Sequence, residues 1–370
     1  MYEWLLARMP RIPVTFALIA ANVAVFAAML WHGASLWHFS SGVQLAWGAN
    51  FGPATKDGEW WRLGSALFLH FGIFHLGMNM LSLWDCGRLV ERMYDHGRFL
   101  LIYLAAGLMG NLLSLIAQGD KAVSGGASGA IFGVYGALMA YLWLERSRVH
   151  AKDFKRLFWG AALFSALSIG LGLQITGIDN AAHIGGLLGG GLCGLALARA
   201  DASGERPRRL VKPLSAIAYL LCIVLMLTNM PAPRYRWSEE QRARAEILHF
   251  LGEDAQIGMQ WSEILDRAQG GGTSFAQLAG EVETQVTSQY EASFEQLSRI
   301  HLDAAAPSAP TLAILRQYAE KRRDASRALA EGLLAQDPER VNQSLEMARQ
   351  AVEQTQVVPG RPASAHAAGK

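Results

Sequence analysis

Seven apolar stretches, each near twenty residues long, dominate the first 230 residues of the chain. A helix needs about twenty apolar residues to cross the hydrocarbon core of a bilayer, so each stretch predicts a membrane-spanning helix. Hydrophobic residues make up 51% of the chain and charged residues only 17%. The sequence therefore predicts an all-α polytopic membrane protein. The predicted spans are 13–31, 68–87, 99–117, 128–144, 157–174, 181–198 and 213–230.

The distribution of lysine and arginine predicts how these spans are oriented. Segments that face the cytoplasm carry an excess of basic residues. Basic residues precede the first span and follow the second, fourth and sixth, whereas the alternate connections are poor in them. We therefore expect residues 1–12 to be cytoplasmic and, because the number of spans is odd, the segment after 230 to be extracytoplasmic. The expected location is a bacterial inner membrane, with the first span retained as a helix because no persuasive signal-peptide cleavage site follows it.

A serine flanked by glycines stands at the start of the fourth predicted span. Residues 125–133 read Gly-Gly-Ala-Ser-Gly-Ala-Ile-Phe-Gly. Free N–H groups at a helix N-terminus can stabilise a developing oxyanion, and glycines before Ser128 allow a substrate carbonyl to approach the backbone. The alternative is a packing motif, because the spacing of Gly129 and Gly133 lets two helices approach closely. Ser128 is therefore a candidate nucleophile, with the packing interpretation left open.

A histidine lies in the first turn of the sixth predicted span. Ionisable side chains inside spans are costly and usually functional, and a neutral imidazole can accept a serine proton. The glycines that follow His183 would let its helix pack against the helix with Gly129 and Gly133. Such packing would bring Ser128 and His183 within hydrogen-bonding reach, although a purely structural histidine is the alternative. The glycines after His183 are 185, 186, 189, 190 and 191.

Four more polar residues belong to this predicted site or lie beside it. His75 and Asn79 are four residues apart in the second span, so they share one helix face. They could form an oxyanion hole, or alternatively a polar clamp between two helices. His70 falls off that face and is expected in a loop or at the helix start. Asp179, four residues before His183, could complete a catalytic triad, but we favour a cap of the sixth helix because a cap requires no buried charge.

At this point the chain resembles the rhomboid family of intramembrane serine proteases. The resemblance covers about 13–200 and rests on several motifs together, since Gly-x-Ser-Gly alone would be weak. The motifs are Trp61-Arg62, His75 with Asn79, Gly126-Ala-Ser128-Gly129 and Ala182-His183-Ile-Gly-Gly.

The resemblance implies a fold, an activity and residue roles. The fold would be a six-helix core at 13–200, with 213–230 as the additional seventh helix found in some members. Ser128 would be the nucleophile and His183 the general base, in a dyad without a catalytic aspartate. His75, Asn79 and the Ser128 N–H would stabilise the oxyanion, Gly126 would form part of the loop wall, and Phe132 would pack on the His183 ring. Substrates would be transmembrane segments of membrane proteins, cut next to small residues.

Other classes of function fit the sequence less well. It has no His-Glu-x-x-His motif and no pair of aspartates within spans, so zinc and aspartyl intramembrane proteases lack their ligands or catalytic groups. We expect no cofactor and no metal. A net charge of +2 gives no reason to expect nucleic acid as a partner. A transporter would need more charged residues in its spans. The main alternative is a non-catalytic rhomboid-like scaffold that binds transmembrane segments in the lipid bilayer.

Residues 231–356 differ from the rest in composition, being rich in Ala, Glu, Gln and Arg. Their patterns predict soluble helices near 238–268, 274–302, 309–335 and 338–355, which would form a small antiparallel bundle or helical hairpins. We interpret them as an extracytoplasmic helical domain whose role the sequence does not indicate. Binding of a protein partner is one possible role of this domain. Residues 357–370 have the composition of a disordered tail.

Overall fold

The computed structural model describes residues 2–198 and 207–355, which are mostly helical. Contacts divide the chain into two units, Met1–Pro233 and Arg234–Lys370. The tail predicted at 357–370 lies outside the described residues.

The first unit contains most of the apolar helices. Five helices in the described part of the chain are long and apolar enough to cross a membrane, and up to six are if one bent pair counts as a span. In chain order its elements are α1 (Tyr2–Arg8), α2 (Pro13–Trp31), α3 (Ser41–Ala46), β1 (Asn50–Phe51), α4 (Gly52–Lys56), α5 (Arg62–Ser65), α6 (Ile73–Ser82), α7 (Arg88–Tyr94), α8 (His96–Gln118), β2 (Val123–Ser124), α9 (Ser128–Leu144), α10 (Ala151–Gly172), α11 (Asn180–Leu197) and α12 (Pro207–Thr228).

The prediction of one continuous second span at 68–87 is wrong. A helical segment at Arg62–Phe68 and a second at Ile73–Tyr94 meet at an angle of 91°. The backbone at the break bonds to the first connection instead of continuing a helix: Phe39 N–H donates to Phe71 O (2.7 Å) and Ile73 N–H to Leu36 O (3.0 Å). Between α6 and α7 the helix continues through a π-helical turn, Leu83–Gly87.

The connection between the first two spans is folded, which the sequence did not predict. Its strand β1 pairs antiparallel with β2, with Asn50 opposite Ser124. The same connection is tied down by Lys56, whose ammonium lies 3.1 Å from Asp120 with both side chains almost fully buried. These contacts fix the short segment that leads into α9.

Glycines bring α9 and α11 into close contact, as their spacing predicts. A methyl group built on Gly186 would overlap the Gly129 carbonyl oxygen, and one on Gly190 would overlap the carbonyl oxygen of Gly133. No side chain larger than hydrogen fits at either contact, so the two backbones approach each other directly. The helix with the predicted base therefore lies against the helix with the predicted nucleophile.

Helices are the only regular secondary structure among the described residues of the second unit. Ser274 and Gln277 form a capping box at the start of one helix, and Asp337 caps another that has Pro338 in its first turn. The stretch predicted as a single helix at 274–302 contains a π-helical turn, Glu283–Thr287, and its α-helix ends at Ser298. The helices are α13 (Trp237–Gly270), α14 (Phe275–Val282), α15 (Ser288–Ser298), α16 (Ala309–Ala335) and α17 (Pro338–Gln354).

A buried polar cluster joins three helices inside this unit. Asp254 Oδ1 accepts hydrogen bonds from the hydroxyls of Tyr290 (2.8 Å) and Tyr318 (2.7 Å). Arg322 Nε donates to the Tyr290 oxygen (3.2 Å), and its guanidinium stacks over Trp261. Burial raises the pKa of Tyr290 well above its ordinary value, so this hydroxyl stays protonated and donates. The cluster holds α13, α15 and α16 together.

Candidate active site

Ser128 is the first residue of α9, and a constrained loop leads into it. Gly126 N–H donates to Ala66 O at 2.8 Å, which anchors the loop to the bent segment before α6. Gly126 has φ of +145°, and a methyl built on it would lie 2.9 Å from His75 Cε1. Both facts require glycine at this position.

His183 and Ser128 are in direct contact. The distance between His183 Nε2 and Ser128 Oγ is 2.9 Å, a normal hydrogen bond. The Phe132 ring stacks on the imidazole, with centroids 4.2 Å apart and planes 8° from parallel. His183 Nδ1 is buried and has no hydrogen-bond partner among the described residues. With its proton on Nδ1, the ring can accept the serine proton at Nε2.

His75 lies on the other side of the same loop. The Phe71 N–H donates to His75 Nδ1 at 3.3 Å, which makes Nδ1 the acceptor and leaves the ring proton on Nε2. A methyl built on Gly126 would lie 3.1 Å from that Nε2 and 3.7 Å from Ser128 Oγ. His75 Nε2–H therefore borders the space beside Ser128, where a donor could reach a developing oxyanion.

Asn79 and His70 are also close to His75 but differ in their bonding. Asn79 is buried on the same helix and its Nδ2 donates to His75 O at 2.9 Å, which uses one of its two N–H groups. His70 is fully buried in the loop before α6, as predicted, with its ring centroid 5.1 Å from that of His75.

The cap interpretation of Asp179 is confirmed. Its Oδ1 accepts from Ala182 N–H at 3.0 Å, at the start of α11. Two further bonds were not predicted: Asp179 Oδ2 also accepts from the hydroxyls of Ser114 (2.5 Å) and Ser124 (2.6 Å). These partners lie 65 and 55 residues away along the chain, and serines without a motif carry no signal of such pairing.

In the described part of the chain, no group of three or more His, Cys, Asp and Glu side chains is placed to hold a metal ion. The chemistry available at the site is that of a hydroxyl, two imidazoles, an amide and backbone N–H groups.

The fold and the site together define a class, that of helical multi-pass membrane proteins with a serine–histidine pair between closely packed helices. Comparison with known proteins assigns the family. The Rhomboid domain matches residues 57–200. Rhomboid protease GluP of Bacillus subtilis is 39% identical over 194 residues, which are 52% of this chain but 36% of that protein.

Two other relatives are matched over more of their own length. The putative rhomboid protease YdcA of Bacillus subtilis is 33% identical over 48% of this chain and 84% of its own. Rhomboid protease AarA of Providencia stuartii is 31% identical over 50% of this chain and 72% of its own. The chain belongs to the rhomboid family.

Proposed function

We propose that this protein is an intramembrane serine endopeptidase that uses Ser128 as nucleophile and His183 as general base. The observation that carries the proposal is the 2.9 Å contact between Ser128 Oγ and His183 Nε2 at the start of α9. A hydroxyl is a weak nucleophile by itself and needs an adjacent base. The names of the three relatives described above, two rhomboid proteases and one putative rhomboid protease, support the same chemistry.

The proposed reaction proceeds through an acyl-enzyme. Ser128 Oγ attacks the scissile carbonyl while its proton passes to His183 Nε2. His75 Nε2–H, the free N–H of Asn79 and the Ser128 N–H stabilise the oxyanion. His183 then donates the proton to the leaving amine, and it activates a water that hydrolyses the ester. Phe132 holds the imidazole plane through stacking.

The proposed substrates are transmembrane segments of other membrane proteins. The loop with Gly125 and Gly126 supports this proposal, because a backbone without side chains lets a peptide carbonyl reach Ser128. The outer surface of α10 supports it as well, since only Ala161 and Ser165 of this helix are buried and its exposed leucines suit lipid or an apolar segment. Residues 231–356 are proposed to affect substrate choice or complex formation, outside the chemical step.

Labelling with a fluorophosphonate probe tests the proposal. We expect the folded wild-type protein to label, and Ser128→Ala and His183→Ala to lose labelling, with the double variant little worse than either. Ser165→Ala is a matched control, because Ser165 is a buried serine of α10 outside the proposed site. No labelling of folded wild-type protein would favour the scaffold alternative.

We also propose that the N-terminus is cytoplasmic and the second unit extracytoplasmic, in a bacterial inner membrane. The basic residues of α7 and the first turn of α8, and those between α9 and α10 and at the start of α10, support this orientation. A reporter fused after Pro233 should read as extracytoplasmic. A cytoplasmic signal would mean that one of the spans, for example the bent second one, does not cross.

A further inference from the structure

The Asp179 carboxylate joins three elements of the first unit. Oδ1 caps α11 through Ala182 N–H (3.0 Å), and Oδ2 accepts from Ser114 in α8 (2.5 Å) and from Ser124 in β2 (2.6 Å). A carboxylate offers about four lone-pair sites, so one side chain can satisfy all three donors.

Two of these bonds, to Ser124 and Ala182, lie on the two segments that carry the proposed reacting groups, and the third ties them to α8. Ser124 is four residues before Ser128, and His183 is four residues after Asp179, whose carbonyl accepts from His183 N–H at 3.2 Å. The loop between Ser124 and Ser128 contains Gly125 and Gly126, and glycine limits the backbone dihedral angles less than any other residue. A fixed point at Ser124 therefore matters more than it would before a stiffer segment.

We propose that Asp179 is a positioning residue that sets the distance between Ser128 and His183 by fastening the loop before the nucleophile to the start of the helix with the base. This rests on the proposed function. Asp179 is no third member of a catalytic triad, because His183 Nδ1 has no hydrogen-bond partner among the described residues. Its effect passes through the backbone.

The test compares the kinetics of fluorophosphonate labelling across variants of the full-length protein. Asp179→Ala removes the fastening and should lower the maximal labelling rate roughly 10²-fold, as expected for a misplacement of about 1 Å, with little change in the half-saturating probe concentration. Ser124→Ala keeps the cap and should lose about tenfold by the same argument. The variant with both changes should be no slower than Asp179→Ala, because both remove one interaction.

A rescue variant and a control separate positioning from stability. Asp179→Asn keeps an oxygen for the cap and gains an N–H₂ that can donate to a serine oxygen, so most of the rate should return. Asn180→Ala is the control, because Asn180 Nδ2 donates to Ile169 O (3.1 Å) and ties α11 to α10 without touching the loop. It should lower the thermal midpoint while the labelling rate of the folded protein stays unchanged.

The outcomes distinguish this proposal from the proposed function. If wild-type protein labels and Asp179→Ala labels at the same maximal rate, Asp179 is structural and the proposal fails. If Asp179→Asn labels as slowly as Asp179→Ala, the negative charge and not the hydrogen bonding of Asp179 is required, and the proposal also fails. If Asp179→Ala does not fold, the test is made with Ser124→Ala, and a wild-type labelling rate in that variant overturns the proposal. If wild-type protein does not label at all, the proposed function falls, and this proposal with it.

Discussion

Replacing Gly186 with alanine should separate Ser128 from His183, the proposed nucleophile and base. The added methyl carbon would lie 2.7 Å from the Gly129 carbonyl carbon, whereas carbon atoms in contact are about 3.5–4.0 Å apart. The helices α9 and α11 must therefore move apart by about 1 Å. Gly129 adjoins Ser128 in the chain, so the 2.9 Å contact to His183 would lengthen beyond hydrogen-bonding distance.

We expect Gly186→Ala to lower the maximal rate of fluorophosphonate labelling roughly 10²-fold. Overpacking should also destabilise the protein by about 1–3 kcal/mol, measured as a lower thermal midpoint. Gly191→Ala is the matched control, because its methyl would meet nothing closer than Gly136 O at 3.9 Å. Alanine there should keep the labelling rate and leave stability equal or higher, since glycine within a helix costs about 1 kcal/mol. Wild-type labelling by folded Gly186→Ala would refute the argument that backbone contact sets the dyad distance.

Two further predictions concern the proposed oxyanion donors and the second unit. His75→Ala and Asn79→Ala should each lower kcat roughly 10²–10³-fold with a smaller change in KM, measured on a cleavable transmembrane substrate, and a change in KM alone would assign both residues to binding or packing. Asp254→Ala should destabilise the second unit, by about 1–3 kcal/mol for each buried hydroxyl left without its acceptor, because Tyr290 and Tyr318 both donate to Asp254. Urea unfolding monitored by circular dichroism measures the change, and an unchanged midpoint would show that the buried polar cluster contributes no stability.

The sequence was sufficient for the features that depend on local pattern. Apolar stretches of bilayer length predicted most of the long helices of the first unit, and glycine spacing predicted the close contact of α9 with α11. Ser128 and His183 stood out because a glycine-flanked hydroxyl and an intramembrane imidazole are poorly explained by packing alone. Glycine spacing predicted their proximity, and the structure supplied the distance.

Features that depend on pairing between distant segments were found only in the structure. The break before Ile73 arises because the chain there bonds to the first connection, and strands as short as β1 and β2 leave no periodic signal. The bonds from Ser114 and Ser124 to Asp179 span more than fifty residues and involve side chains of no distinctive motif. The sequence by itself determined which residues are candidates for nucleophile and base, because residue type and helix formation are local properties. Only the tertiary structure decided how the loop before Ser128 is held, since that depends on which distant donors and acceptors meet when the helices pack.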